Sequence, residues 1–346
     1  MNKLERTLLG VVLLAAVIIM GGFGYLWAMN SHPFEDNEPM PLTNELLKDN
    51  PIVADEGNTF GRDKYMNVLF LGLDESETLT DVMMLASVNL TQKKLNILQI
   101  PRDTYISGLG NTGKINEVYL NGGTNKCSVQ NVVNYINRTL QMSVNHYAMI
   151  STEDVVSIVD AVGGIPIDVP ERIFYEADKI IEPGQQILEG RQAEWFVRFR
   201  REYAEADLGR IKTQRIFLAA CMQKAKSLGL SEIIKVTPTV LNYVKTDMSV
   251  GQLKDLAMAF MDIKMEDCNC FMLPGEPTMY NKLSVYSMHK EAVAQLLNLH
   301  FRWNDEIVSS SDLEILELVN KYTDYNEVTD DFASILAGNV PKVPRN

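Results

Sequence analysis

Cysteine and histidine are scarce in these 346 residues, with four of each. Cys127, Cys221, Cys268 and Cys270 are irregularly spaced, so the chain carries no disulfide framework. Cys268 and Cys270 are two apart, on one face of an extended segment and too close for an easy bridge. The cysteines and histidines show no zinc-site spacing. No G-x-S-x-G marks a nucleophile elbow. Positive charge is in short supply: 32 Lys and Arg stand against 45 Asp and Glu, for a net charge of -13. A nucleic-acid binder would usually carry a basic domain, so that class is set aside. Low-complexity tracts and fixed-period repeats are also missing. What remains is a globular composition, 46% hydrophobic and 22% charged, long enough for one large domain or two ordinary ones.

Charge is absent altogether from Thr7 to Met29. About 20 helical residues span the ~30 Å hydrocarbon core of a bilayer. Lys3 and Arg6 precede the run, Glu35, Asp36 and Glu38 follow it, and Tyr25 and Trp27 lie where an aromatic belt would form. The run is longer than a signal-peptide core and lacks a clean cleavage site. It is read as an uncleaved anchor with residues 1–6 inside and the bulk of the chain extracytoplasmic. Residues 30–64, rich in Pro, Asn, Asp and Glu, read as a linker or stalk.

From Tyr65 the pattern is that of an α/β domain, expected to reach residue 303. "YMNVLFLGLD" reads as a buried strand and Asp81–Asp103 as a hairpin around the polar turn Thr91–Lys94. Val129–Leu140 has helical spacing, "HYAMI" is a strand, and Glu153–Val162 is a helix stopped by Gly163 and Gly164. A helix from Asp207, its expected N-cap, runs to about Ser227. Further helix signals follow from Ser231, then "CFMLPGEP" as strand and loop, then a helix over His289–Phe301. Residues 304–346 are acidic and weakly patterned, a loose tail or small cap.

One stretch runs against the overall charge. "WFVRFRREYAEADLGRIKTQR" holds Arg198, Arg200, Arg201, Arg210, Lys212 and Arg215. "VRFR" fits a strand or a helix end. The alternation favours a strand, with Arg198 and Arg200 on one face and Val197 and Phe199 in the core. Arg210 would then begin the next helix, whose N-terminus attracts anions, with Gln214 on the same face. Three guanidiniums there suit one oxyanion cluster. Arg201, Lys212 and Arg215 are read instead as a solvated face. Upstream, Arg102 and Asp103 follow a strand, where ligand sites of α/β sheets collect. Asp74 and Asp81 at strand ends suit either a divalent cation such as Mg²⁺ or turn capping. "GLGNTG", Gly108–Gly113, matches a dinucleotide spacing but lacks its strand–helix context. It reads as a loop that delivers Lys114.

The set "VLFLGLD", "TDVMMLASVN", "IPRDTYI", "GKINEVYLNGG", "VDAVGGIPIDVP", "PGQQILEGRQAEWFVRFR" and "DLGRIKTQ" resembles the LytR-CpsA-Psr family of bacterial cell-wall proteins. The resemblance implies a mixed central β-sheet flanked by helices, an α-β-α sandwich behind one N-terminal transmembrane helix, with an apolar pocket for a polyprenyl chain. It implies Mg²⁺-dependent transfer of a teichoic-acid- or capsule-like glycopolymer from a polyprenyl-pyrophosphate carrier at the cytoplasmic membrane to peptidoglycan. By motif position, Asp74 and Asp81 would hold the metal. Arg102, Lys114, Arg198, Arg200 and Arg210 would hold the pyrophosphate with Gln214 beside them, and Asp103 would be a base or an orienting group. The family usually has Arg-x-Asp ahead of the second strand; here Leu79 stands where that arginine is expected. Two rival functions fit other parts of the pattern. One is a protein that binds or senses polyprenyl phosphates without turnover. The other is a regulator, against which the acidic ectodomain and the lack of a helix-turn-helix signal argue.

Overall fold

The structure is a computed structural model. It describes residues 65–337 apart from 75, 107–109, 122–126, 177, 199–205, 229, 304–306 and 320–328. The side chains of Arg198, Arg210, Lys212 and Gln214 are outside the description, as are Arg200, Arg201 and the expected span Thr7–Met29 and stalk. Among the described residues no helix is long and apolar enough to cross a membrane.

A strand covered on both faces needs an almost unbroken apolar run, because neither of its alternating sides meets water. β1 (Tyr65–Leu73), β2 (Thr80–Asn89) and β3 (Lys94–Ile100) are such runs and pair antiparallel in succession. β4 (His146–Ser151) adds parallel to β1. Two small hairpin-like pairs stand off the main sheet: β5 (Ile165–Val169) with β8 (Gly184–Leu188), and β6 (Ile173–Glu176) with β7 (Lys179–Ile181). β9 (Lys245–Thr246) pairs with β4, and β10 (Cys268–Met272) lies parallel to β3. β11 (Gly275–Tyr280) and β12 (Leu283–Met288) form a separate hairpin. β13 (Thr329–Asp331) completes a seven-stranded mixed sheet of order β13-β10-β3-β2-β1-β4-β9.

Alternation along β2 divides the core. Val82, Met84, Ala86 and Val88 face a layer that includes Val155, Phe196, Phe217, Val240 and Leu253, from the helices Thr152–Ala161, Gly190–Arg198, Ala206–Ser227, Leu230–Tyr243 and Val250–Asp262. Met83 and Leu85 face the other layer, with Val132, Ile136, Val293 and Leu297 of Val129–Leu140 and Lys290–His300. This is the expected sandwich. Gly163 and Gly164, both at positive φ, end the helix before β5, and a Cβ on Gly164 would lie 2.5 Å from the Ile187 side chain.

Two expectations are corrected. Val197 and Arg198 belong to the helix Gly190–Arg198, not to a strand. Ala193, Phe196 and Val197 share one helical face and are fully buried, and that 3-and-4 spacing outweighs the alternation of Val197 with Phe199. Asp207 and Arg210 both lie within the helix Ala206–Ser227, so Asp207 is a helical residue and not its N-cap. The described parts of residues 304–346, for which a loose tail and a small cap were both open, pack on the fold. β13 covers the edge that β10 would otherwise expose, and Phe332 and Ile335 bury against the core.

Candidate anion-binding site

The site is assembled where β1 ends, β2 begins and β3 ends. Gly72 pairs with Val82 but Leu73 pairs with Thr80, so Asp81 is the extra residue of a bulge. Bulges re-aim a side chain without breaking the sheet. Asp81 accepts a hydrogen bond from Arg102 Nη1 at 2.9 Å, and both side chains are almost completely buried. Arg102 stands in the turn after β3, which the Thr104 amide closes by donating to the Pro101 carbonyl. The next residue, Asp103, receives Lys114 Nζ at 2.9 Å and has Arg102 Nε at 3.9 Å. Asp81, Arg102, Asp103 and Lys114 thus form one row of alternating charge.

Lys114 reaches this row because of the loop before it. Gly110 and Gly113 adopt φ near +70°, open to glycine without strain. The Ile106 amide donates to the Gly113 carbonyl, and Lys114 then bridges antiparallel to Tyr105. Glu117 fastens the same loop by accepting from the Thr112 amide and hydroxyl. Gly110 and Gly113 of that spacing therefore help to place Lys114, and Gly108 lies outside the described residues.

Asp74 behaves differently. Its Oδ1 accepts the amides of Thr78 and Leu79, at 2.9 and 3.0 Å, and its Oδ2 accepts the Ser76 hydroxyl. It caps its own loop, and Leu79 takes part through its backbone, half-buried. Turn capping and cation binding are both compatible with this carboxylate, since Oδ2 accepts only the Ser76 hydroxyl and keeps a second lone pair. Among the described residues no three His, Cys, Asp or Glu side chains gather as a metal cage. Mg²⁺ needs only one or two carboxylates with phosphate oxygens and water, so the donors at this sheet end fit it.

One predicted surface residue is corrected. Arg215 is 2% exposed, and its Nε donates to Gln99 Oε1 at 2.9 Å. It shares a helical face with Leu218 and Met222, both buried, which is the signal a solvated reading passes over. Gln99 was also legible as a polar residue in the otherwise apolar end of β3. The structure thus brings four of the expected residues together, and separately pairs Gln99 of β3 with Arg215. Arg198, Arg200, Arg210 and Gln214 cannot be ranked with them, lying outside the described side chains.

A cleft of about 900 Å³ opens along the helix Ala206–Ser227, lined in part by Ile167, Val169, Ile187, Ile216, Ala220 and Leu336. Ile216 lines it while Arg215, one position earlier, reaches β3.

Residues 39–302 match the model of the LytR_cpsA_psr family. The chain belongs to that family. Among its relatives, the polyisoprenyl-teichoic acid–peptidoglycan teichoic acid transferase TagU of Oceanobacillus iheyensis is 30% identical over 259 residues, covering 72% of this chain and 78% of that one. TagU of Bacillus anthracis is 28% identical, over 79% of this chain and 88% of that one. The crystal structure of TagV from B. subtilis superposes with a TM-score of 0.58 at 21% identity, covering 69% of this chain and 98% of that one. The mixed sheet with helices on both faces is accordingly the LytR_cpsA_psr fold.

Proposed function

We propose that this LytR_cpsA_psr protein transfers a glycopolymer from a polyprenyl-pyrophosphate carrier to peptidoglycan. The observation that carries the reading is the row Asp81–Arg102–Asp103–Lys114, in a chain 30% identical to a transferase named for that reaction. In the structure each cation already has a carboxylate, so a bare surface anion has little to gain there. A pyrophosphate brings enough negative charge to draw Lys114 from Asp103 onto its own oxygens. Asp103, released from its ion pair, can then accept the proton of the acceptor hydroxyl as that oxygen attacks the phosphorus bearing the glycan. The bond to polyprenyl phosphate breaks, and the leaving group carries the remaining charge away. Asp81 keeps the Arg102 guanidinium oriented toward that charge through the transfer.

Asp74 and Asp81 are the residues that would hold Mg²⁺, which when bound spreads pyrophosphate charge. Arg198, Arg200, Arg210 and Gln214 join the site by family motif. The cleft beside Ile216 offers apolar side chains to the prenyl chain. An anchor at Thr7–Met29 would keep the domain beside its lipid donor on the outer side of the membrane and raise its effective concentration.

The test is transfer of labelled lipid-linked wall polymer to purified peptidoglycan by the full chain. Label should move to the wall, fall with Asp103→Asn and Lys114→Ala, and stop on chelation. Lipid binding without any transfer would replace this reading with that of a carrier or sensor.

A further inference from the structure

The β11–β12 hairpin is not needed to complete the central sheet, yet it is tied to the charged row. Tyr286 of β12 donates its amide to the Asp103 carbonyl at 2.8 Å, and its carbonyl accepts the Tyr105 amide at 2.9 Å. Asn281 and Lys282, both at positive φ, make the tight two-residue turn that closes the hairpin between Tyr280 and Leu283. Beside the turn, Tyr280 and its cross-strand partner Leu283 leave apolar surface open to solvent on one face, 36% and 38% exposed, while Met279, 67% exposed, lies on the other. Exposed apolar surface of this kind marks a contact face.

The Tyr280 ring meets the Tyr105 ring at 4.8 Å between centroids, tilted by 54°. Tyr105 is in turn seated on Gly113, where a Cβ would come within 2.8 Å of the ring. Tyr105 is also the direct antiparallel partner of Lys114, and such partners project to the same face. The rings therefore continue the row that ends in Lys114 and Asp103.

We propose that Tyr105 and Tyr280 form the platform on which the acceptor glycan strand rests beside Asp103. This rests on the transferase reading for its choice of occupant. A sugar ring presents C–H groups of positive partial charge on its flat face and hydroxyls around its rim. Aromatic faces attract the former, and tyrosine hydroxyls meet the latter. Burial, and after it the charge and hydrogen bond of Tyr280, hold the Tyr105 phenol above its ordinary value of 10.0. A tip built only to touch lipid would have no need of a ring locked to the Asp103–Lys114 ladder.

The experiment measures three affinities of the full chain: for undecorated peptidoglycan glycan strands, for a short-chain polyprenyl pyrophosphate, and for anionic phospholipid vesicles. Tyr280→Ala should weaken glycan-strand binding roughly five- to tenfold, while Tyr280→Trp retains it. Pyrophosphate affinity should be unchanged in both. Met279→Ser, on the opposite face of β11, should bind glycan like the parent. The proposal is overturned if Tyr280→Ala binds glycan normally, if Met279→Ser is equally impaired, or if only vesicle binding is lost. Tyr280-dependent glycan binding in a parent chain that transfers no label would uphold this platform and remove the transferase reading. Normal transfer with normal glycan affinity in Tyr280→Ala would do the reverse.

Discussion

Arg102 and Asp81 sit 2.9 Å apart with side chains 6% and 0% exposed, 21 residues apart in the chain and joined at the end of the central sheet. A pair this deep cannot trade its partner for water. Removing one member leaves the other charged and buried, which typically costs about 3–5 kcal/mol. Arg102→Ala should therefore lower the urea midpoint strongly as well as abolish activity. The double change Asp81→Leu with Arg102→Met should recover much of that stability and none of the activity. An unaltered midpoint in Arg102→Ala would show that Arg102 serves the ligand alone.

Asp74 separates capping from metal binding. Asp74→Asn keeps Oδ1 as an acceptor for the Thr78 and Leu79 amides but removes the charge a cation needs. It should fold with stability close to the parent and lose magnesium response in the transfer assay. Asp74→Ala loses the cap too and should be less stable by about 1–3 kcal/mol. Equal magnesium response in parent and Asp74→Asn would leave capping as the whole role.

Gln99 and Arg215, 116 residues apart, invite a double-mutant cycle by chemical denaturation. A hydrogen bond to a charged group contributes about 1.5–3 kcal/mol. Gln99→Leu, Arg215→Met and the double variant should show a coupling energy above about 0.5 kcal/mol. Strict additivity would mean that the two side chains act independently.

Thiol chemistry offers a simple check of burial. Cys127 is exposed, whereas Cys221, Cys268 and Cys270 are buried, and burial pushes the Cys268 thiol up to about 12. At neutral pH a maleimide should label the folded chain once, at Cys127, and the denatured chain four times. Rapid labelling of a second cysteine under native conditions would contradict the packing of β10, or of the helix Ala206–Ser227 if that cysteine is Cys221.

Burial, and secondarily the charge of Lys94, hold the His300 imidazole below its ordinary value of 6.5. The unfolded chain takes up this proton near pH 6.5 while the folded chain resists it. Stability from this group is present above pH 6.5 and is lost as pH falls from there through the lower folded value. His300 is half-buried, so the slope should be shallow. Urea midpoints at pH 7.5 and 5.5 should differ less in His300→Gln than in the parent; an identical pH response would remove His300 as a contributor.

Much of the fold is legible along the chain because local and global preferences agree there. β1 and the β2–β3 hairpin are apolar runs bounded by turn residues, and they are buried on both faces. Val129–Leu140 carries helical spacing and an N-cap serine, and the structure starts and stops the helix at those residues. "VRFR" misleads because a four-residue window fits two periods at once. The deciding residue is Ala193, which puts Phe196 and Val197 on a helical face that reaches the core.

The sequence by itself determined the family and the layered class, which rest on the order of short local motifs, and the delivery of Lys114, which rests on residues close together in the chain. Which charges are buried, and against what, was decided only by tertiary structure. Asp81 needed a bulge to turn it toward Arg102, and Arg215 needed its helix packed over β3 to find Gln99. Burial raises the cost of an unpartnered charge, and the partner that meets that cost is chosen by strand order and helix packing, not by spacing along one element.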